Sequence, residues 1–258
     1  MTNAAPDSDN AAALQRAYYD RTAAEYDTAH LYEGCQHDVA LGYMTPLFEA
    51  LDIRTVLDVG TGTGRTLRAL QANPKLDVIG VEPVRALLDK AVDAGAPPTA
   101  LVQGSGFHLP FPDNSFDAVV EVAVLHHVPD PSPIVAEMLR VARRAVFVDD
   151  DNRFGRGRLS SRLVKLAIYR AGLWPAFWKA KTRGKGYQYT DDDGISYSYS
   201  VYDSLPALAE WADRVVLVPT GIENGTSWLH PLLSNPHVLL CAVKGEPRLP
   251  WLRLGTLA

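Results

Sequence analysis

The stretch VLDVGTGTGR, residues 56–65, constrains this chain more than any other part of it. An apolar run carrying one acid, Asp58, meets three glycines at alternating positions, Gly60, Gly62 and Gly64. Glycine lets the backbone turn at positive φ and leaves space that a Cβ would fill. A turn of this kind after a parallel strand sits at the carboxyl end of a sheet, where open α/β folds bind nucleotides. A dinucleotide fingerprint needs a small residue three positions after its second glycine. Arg65 stands there, so the loop suits a nucleoside better than a pyrophosphate. Residues 76–81 read as a second strand ending at Glu82, a carboxylate placed to take both ribose hydroxyls.

Apolar runs alternate with helical patterns through the first 150 residues, which predicts a parallel sheet with crossover helices. Strands are expected at 55–59, 76–81, 100–102, 116–122 and 145–148, with helices at 84–94 and 132–143, the second opened by Asp130 and Pro131. A helix at 204–211 and strands at 214–218 and 238–243 follow. The chain of 258 residues fits one domain, 1–258, with an insertion at 151–201 that is too long for an ordinary connection.

A hydrophobic fraction of 47% with 21% charged residues excludes disorder, and no apolar run approaches the 18 residues of a membrane span. The polar start of the chain is unlike a signal sequence, which predicts a cytoplasmic protein. Cys35 and Cys241 are too far apart in sequence to suggest a metal cluster.

The net charge of −5 hides an asymmetry. Residues 152–190 carry ten Lys and Arg and no acid, leaving 15 basic against 30 acidic residues elsewhere. Tyr169, Trp174, Phe177, Trp178, Tyr187 and Tyr189 interleave with them. Three readings stay open: a basic face that offsets an acidic core, a surface for an anionic acceptor or an anionic membrane, and a nucleic-acid site. The acidity of the remainder counts against nucleic acid. Arg158, Arg162 and Lys165 recur at helical spacing, so they are expected to share a face and meet an anionic surface together.

In combination, DVGTGTG, VIGVEP, YYDRTAAEYD, LPFPDNSFDAVV, VLHHVPD and EMLRVARRAVFVD make the chain resemble the class I S-adenosylmethionine-dependent methyltransferases, the group of ubiquinone and small-molecule methylases, over residues 14–148 and 202–243. The resemblance implies a doubly wound, seven-stranded, mostly parallel Rossmann-like sheet closed by an antiparallel hairpin. It also implies S-adenosylmethionine as cofactor. An N-terminal helix within 1–30, bearing Tyr18, Tyr19 and Tyr26, would fold over that cofactor. The insertion at 151–201 would be a basic, aromatic cap over the acceptor.

Matched to the family's motifs, the cofactor residues are Tyr19, Tyr26, Asp58, Gly60, Thr61, Gly62, Gly64, Glu82 on the ribose, Pro83, Ser105, Gly106 and Phe107 around the adenine, Glu121 and Val122. Many relatives carry an acid where this chain has Ser105. The turn before the fifth strand also lacks the family's glycines. If the acceptor is an alcohol, a base is needed to take its proton. His127 in VLHHV is the candidate, since its neutral imidazole is available near neutral pH, with Asp149 as its acidic partner and Asp150 as the competitor.

An Asp-Asn pair after the fifth strand holds magnesium in catechol-type relatives, but the fourth strand ends Glu121-Val122-Ala123, so no metal is expected. The expected activity is O-methylation of a sugar-containing, lipid-linked or other small-molecule acceptor. The alternatives are C-methylation of a quinone-like ring and a non-catalytic, cofactor-binding scaffold.

Overall fold

In the computed structural model, residues 15, 17–19, 21–22, 35–190, 194–221 and 230–245 are described. The chain order is α1 (Gln36–Ala50), β1 (Thr55–Val59), α2 (Arg65–Gln71), β2 (Asp77–Glu82), α3 (Arg85–Asp93), β3 (Leu101–Gln103), β4 (Phe116–Val122), α4 (Ser132–Val141) and β5 (Ala142–Asp151). After these come α5 (Leu159–Arg170), α6 (Trp174–Lys181), β6 (Gln188–Thr190), β7 (Gly194–Ser196), α7 (Val201–Trp211), β8 (Arg214–Pro219), α8 (Pro231–Ser234) and β9 (His237–Val243).

Seven strands form one sheet in the order β3-β2-β1-β4-β5-β9-β8. The first five are parallel, and β9 runs antiparallel to both β5 and β8. This is the doubly wound Rossmann-like sheet with its closing hairpin. The chain winds outward from β1 through β2 to β3, then crosses back to place β4 on the other side of β1. Two crossovers therefore leave in opposite directions from the carboxyl ends of β1 and β4, which opens a crevice between them.

Both faces of the sheet are buried, so its strands are apolar nearly throughout. Leu57, Val119, Val146, Val148 and Leu240 pack with α4 and α7 on one face. Val56, Ala118, Val120, Phe147 and Cys241 pack with α1 and α2 on the other. Each fully buried Leu or Val side chain contributes about 1.5–3 kcal/mol.

Two element boundaries differ from the sequence expectation for identifiable reasons. Strand β5 runs to Asp151 because β9 goes on pairing with it as far as His237, beyond the last β4 partner at Asp149. Helix α7 starts at Val201 because Ser200 and Asp203 close a reciprocal capping box. The glycine-poor turn before β5 is hardly a turn: α4 ends at Val141 and β5 begins at Ala142. Arg144 there donates to the carbonyls of Leu51 and Asp52, at the sheet end away from the crevice.

The insertion folds as α5, α6 and the β6–β7 hairpin. It is tied to the sheet domain where the Tyr197 N–H donates to the His126 carbonyl at 2.7 Å.

Candidate functional site

The crevice is a cleft of about 650 Å³ at the carboxyl ends of β1, β2 and β4. Gly60, Thr61 and Gly62 form its floor, with φ of +75° at Gly60 and +54° at Gly62. Any Cβ on Gly60 would stand 2.5 Å from Val124, whereas one on Gly62 would meet nothing nearer than 4.0 Å. Gly60 thus permits close packing of the β1 and β4 loops, and Gly62 leaves the cradle open.

Glu82 lines the cleft at the end of β2. Its carboxylate accepts the N–H of Val84 at 2.9 Å and of Gly62 at 3.2 Å, which locks the acid to the glycine turn. Burial nevertheless pushes its pKa up to about 7, outweighing these donors, and the charge on Asp58 adds to the rise. Pro83, Ser105, Phe107 and Val122 also line the cleft, as does Tyr19, whose ring meets His127 edge-on at 6.0 Å.

Five of the expected residues stand behind the cleft wall instead. Asp58 is buried and accepts the Thr61 hydroxyl at 2.6 Å, so it shapes the loop; burial pushes its pKa up to about 6. Gly64 caps α2, where a Cβ would press on Ala91 at 3.0 Å. Gly106 packs against Val59 and Ile134. Glu121 is wholly buried and accepts the N–H groups of Val124 and Leu125, which opens the short 3₁₀ turn Leu125–His127. Burial, with the charge on Asp150, raises its pKa well above the usual carboxylate range. Asp149 is the fifth, and Tyr26 lies outside the described residues.

The two histidines of VLHHV take different partners. Asp150 Oδ1 accepts from His126 Nδ1 at 2.6 Å, and its other oxygen accepts the His126 backbone N–H at 3.1 Å. Burial alone would raise the Asp150 pKa, but the charge and hydrogen bond of His126 hold it down at about 2. His127 lines the cleft, and its Nδ1 lies 2.6 Å from the Ile195 carbonyl. A carbonyl can only accept, so Nδ1 carries the proton and Nε2 is the basic nitrogen of the neutral ring. Gln15 braces the same strand by accepting the Ile195 N–H at 2.6 Å.

The expected pairing of His127 with Asp149 is corrected by strand alternation. Successive side chains of β5 point to opposite faces, so Asp150 joins His126 on the α4 side while Asp149 turns to the α1 side. There Asp149 accepts the Thr220 hydroxyl at 2.7 Å and lies 3.5 Å from His37. Asn152 is spent on structure, since its amide donates to the carbonyls of Leu232 and Asn235.

The cleft also holds residues that no local sequence signal announced. Gln36 and His37 open α1, and Asp151, Arg156 and His237 form a charged corner in which Asp151 Oδ1 lies 2.6 Å from Arg156 and 3.0 Å from His237. A second cavity of about 510 Å³ adjoins the cleft, sharing Val128, Pro129 and Tyr197 with it, and is walled by Trp174, Trp178 and Tyr199.

The basic cap is not arranged as its spacing suggested. Arg162 and Lys165 do share one side of α5, but that side faces inward, while Arg158, just before the helix, stays exposed. Arg162 donates to the carbonyls of Gly157 and Leu233, and Lys165 to those of Arg153 and Arg156. Carbonyls left over just before α5 and in α8 take up these two charges.

A family model described as a methyltransferase domain matches residues 57–148. An uncharacterised methyltransferase of Mycobacterium sp. strain JLS is 34% identical over 162 residues, 62% of this chain and 60% of that protein. One from Schizosaccharomyces pombe is 39% identical over 104 residues, 36% of this chain and 37% of that protein. The chain thus spans little more than a third of the length of several curated relatives it matches.

Among solved structures, an S-adenosylmethionine-dependent methyltransferase from Thermotoga maritima aligns with a TM-score of 0.58 at 18% identity, covering 89% of this chain and 99% of that one. The magnesium protoporphyrin IX methyltransferase of Synechocystis, solved with bound S-adenosylhomocysteine, gives 0.55 at 15%, covering 91% and 100%. At such identities the likeness is one of fold.

Proposed function

We propose, for a chain that belongs to the class I S-adenosylmethionine-dependent methyltransferases, that the cleft holds S-adenosylmethionine and brings a hydroxyl of a small-molecule acceptor to it. One observation carries the reading: the Gly60–Thr61–Gly62 turn, Glu82 and His127 line the same cleft. The residues present fit the cofactor. Gly62 leaves the cradle unfilled, Glu82 is a buried carboxylate able to accept two ribose hydroxyls, and Phe107 offers a partly exposed aromatic face beside Ser105 for an adenine.

S-adenosylmethionine, when bound, supplies an electrophilic methyl group. The work left to the chain is to orient the acceptor, exclude water and manage one proton. Holding two reactants in line supplies roughly 7–11 kcal/mol of a barrier. Tyr19 and Gln15 reach over the cleft from the N-terminal segment, in position to exclude water. The role of His127 as base is supported by its tautomer: Nε2 can take a hydroxyl proton, and the Ile195 carbonyl on Nδ1–H favours the cation that results. The aromatic cavity at Trp174 and Trp178 gives room for the body of a sugar-containing or lipid-linked acceptor.

Calorimetry with S-adenosylmethionine and S-adenosylhomocysteine tests the cofactor, and binding of NAD in their place would overturn the reading. Mass analysis of metabolite extracts incubated with the protein and methyl-labelled cofactor then identifies the acceptor. Label on carbon would replace O-methylation with C-methylation, and no label in any product would leave a binding protein.

A further inference from the structure

We infer that the outward face of α5 is a docking surface for an anionic lipid bilayer. With the inner side of this helix given to Arg162, Lys165 and Leu166, its outer arc carries Leu159, Leu163, Val164 and Ala167. Leu163 and Val164 are 49% and 57% exposed, and Leu173, just past the helix, is 59% exposed. An apolar strip of this kind on a charged segment is unusual for a face that meets only water.

Charge selects the occupant. Arg158 and Arg170 bracket the strip at its two ends, and Lys179, Lys181, Arg183 and Lys185 are exposed on α6 and the turn after it. None of these six forms an ion pair among the described residues, and residues 152–190 contain no acid to neutralise them. Two-fold pairing with a second copy would set these cations against their own counterparts. An anionic interface offers both an apolar layer for the leucines and phosphates for the cations. No helix among the described residues is long and apolar enough to cross a membrane, so the contact is peripheral. The strip begins three residues after Arg156, which lines the cleft, so docking would bring the cleft's edge toward the bilayer.

The test is co-flotation of the full chain with vesicles of phosphatidylglycerol and phosphatidylcholine, compared with phosphatidylcholine alone. Binding is expected only to the anionic vesicles, falling steeply between 50 and 500 mM salt, concentrations chosen to shorten the screening length from roughly 14 to 4 Å. Leu163→Asp with Val164→Asp, both at exposed positions, should abolish it, and Arg158→Gln with Arg170→Gln should weaken it about thirtyfold. No binding at low salt, or binding indifferent to the Leu163/Val164 pair, overturns the inference. So does a concentration-dependent dimer that the same pair dissolves. Flotation reads no methyl transfer, so its failure leaves the cofactor assignment standing.

Discussion

Asp149 and His37 face each other with Oδ2 and Nδ1 3.5 Å apart, and neither of these buried atoms has a hydrogen-bond partner among the described residues. The carboxylate is held from its other side by Thr220, and the imidazole lines the cleft. Asp149 therefore acts on His37, while His127 depends on the backbone of β7. Asp149→Asn should shift the imidazole nitrogen resonances of His37 and leave those of His127 in place. The reverse pattern would restore the pairing read from the motif alone.

If Glu82 holds the ribose as proposed, cofactor binding should depend on pH. With its pKa near 7, a large share of the molecules carry a neutral carboxyl at neutral pH when the cleft holds no ligand. The ionised form is the better acceptor for ribose hydroxyls, so affinity should rise between pH 6 and 8 and level off above. Glu82→Gln should lose about 1.5–3 kcal/mol of binding and flatten this profile. Calorimetry across the range is the check, and a flat wild-type profile would remove Glu82 from the ribose.

The same group costs stability. A carboxyl whose folded pKa is raised from 4.5 to about 7 holds its proton in the native state after the unfolded chain has released it. Stability contributed here falls as pH rises through that window. Thermal melts should show Glu82→Gln gaining on the wild type at pH 8 and not at pH 4. Equal differences at both pH values would mean that the pKa is not raised.

Local signals made much of this legible. The glycine spacing at 60–64 and the acid at Glu82 depend on a turn and a strand end, and those are fixed by neighbours in sequence. The opposing wall was not readable in that way. His37, Arg156 and His237 come from α1, the insertion and β9, and only sheet order brings them together. The α5 error has the same origin. Periodicity correctly placed Arg162 and Lys165 on one side, but the leftover carbonyls of residues 153–157 and Leu233 decided that this side turned inward, and of the three expected cations only Arg158 stayed exposed. Asp149 and Asp150 were interchangeable until the register of β5 fixed which face each one takes.

Gly60 should tolerate no side chain. In Gly60→Ala, the Cβ would meet Val124 at 2.5 Å while φ stays at +75°. Overpacking costs about 1–3 kcal/mol, and the left-handed backbone about 1–2 kcal/mol more for an L-residue. Adding Val124→Ala should recover the first part and not the second. Denaturant midpoints of the two variants separate the contributions, and full recovery would show that steric crowding alone reserves this position for glycine.

His127 is the place where proton transfer and packing can be told apart. If its Nε2 takes the acceptor's proton, His127→Ala should lower turnover by about 10²–10⁴-fold while the Kd for S-adenosylmethionine stays at the wild-type value. Loss of Ile195's partner could loosen β7 over the cleft, and a packing effect of that kind would appear in the variant as weaker cofactor binding and a raised KM. His127→Gln separates the two: the amide can still donate to the Ile195 carbonyl but cannot serve as a base near neutral pH. Turnover as low as in the alanine variant, with Kd and KM near wild type, is the expected result. Recovery of turnover in the glutamine variant would make His127 a brace for the cap and send the search for the base to His37 and Asp149.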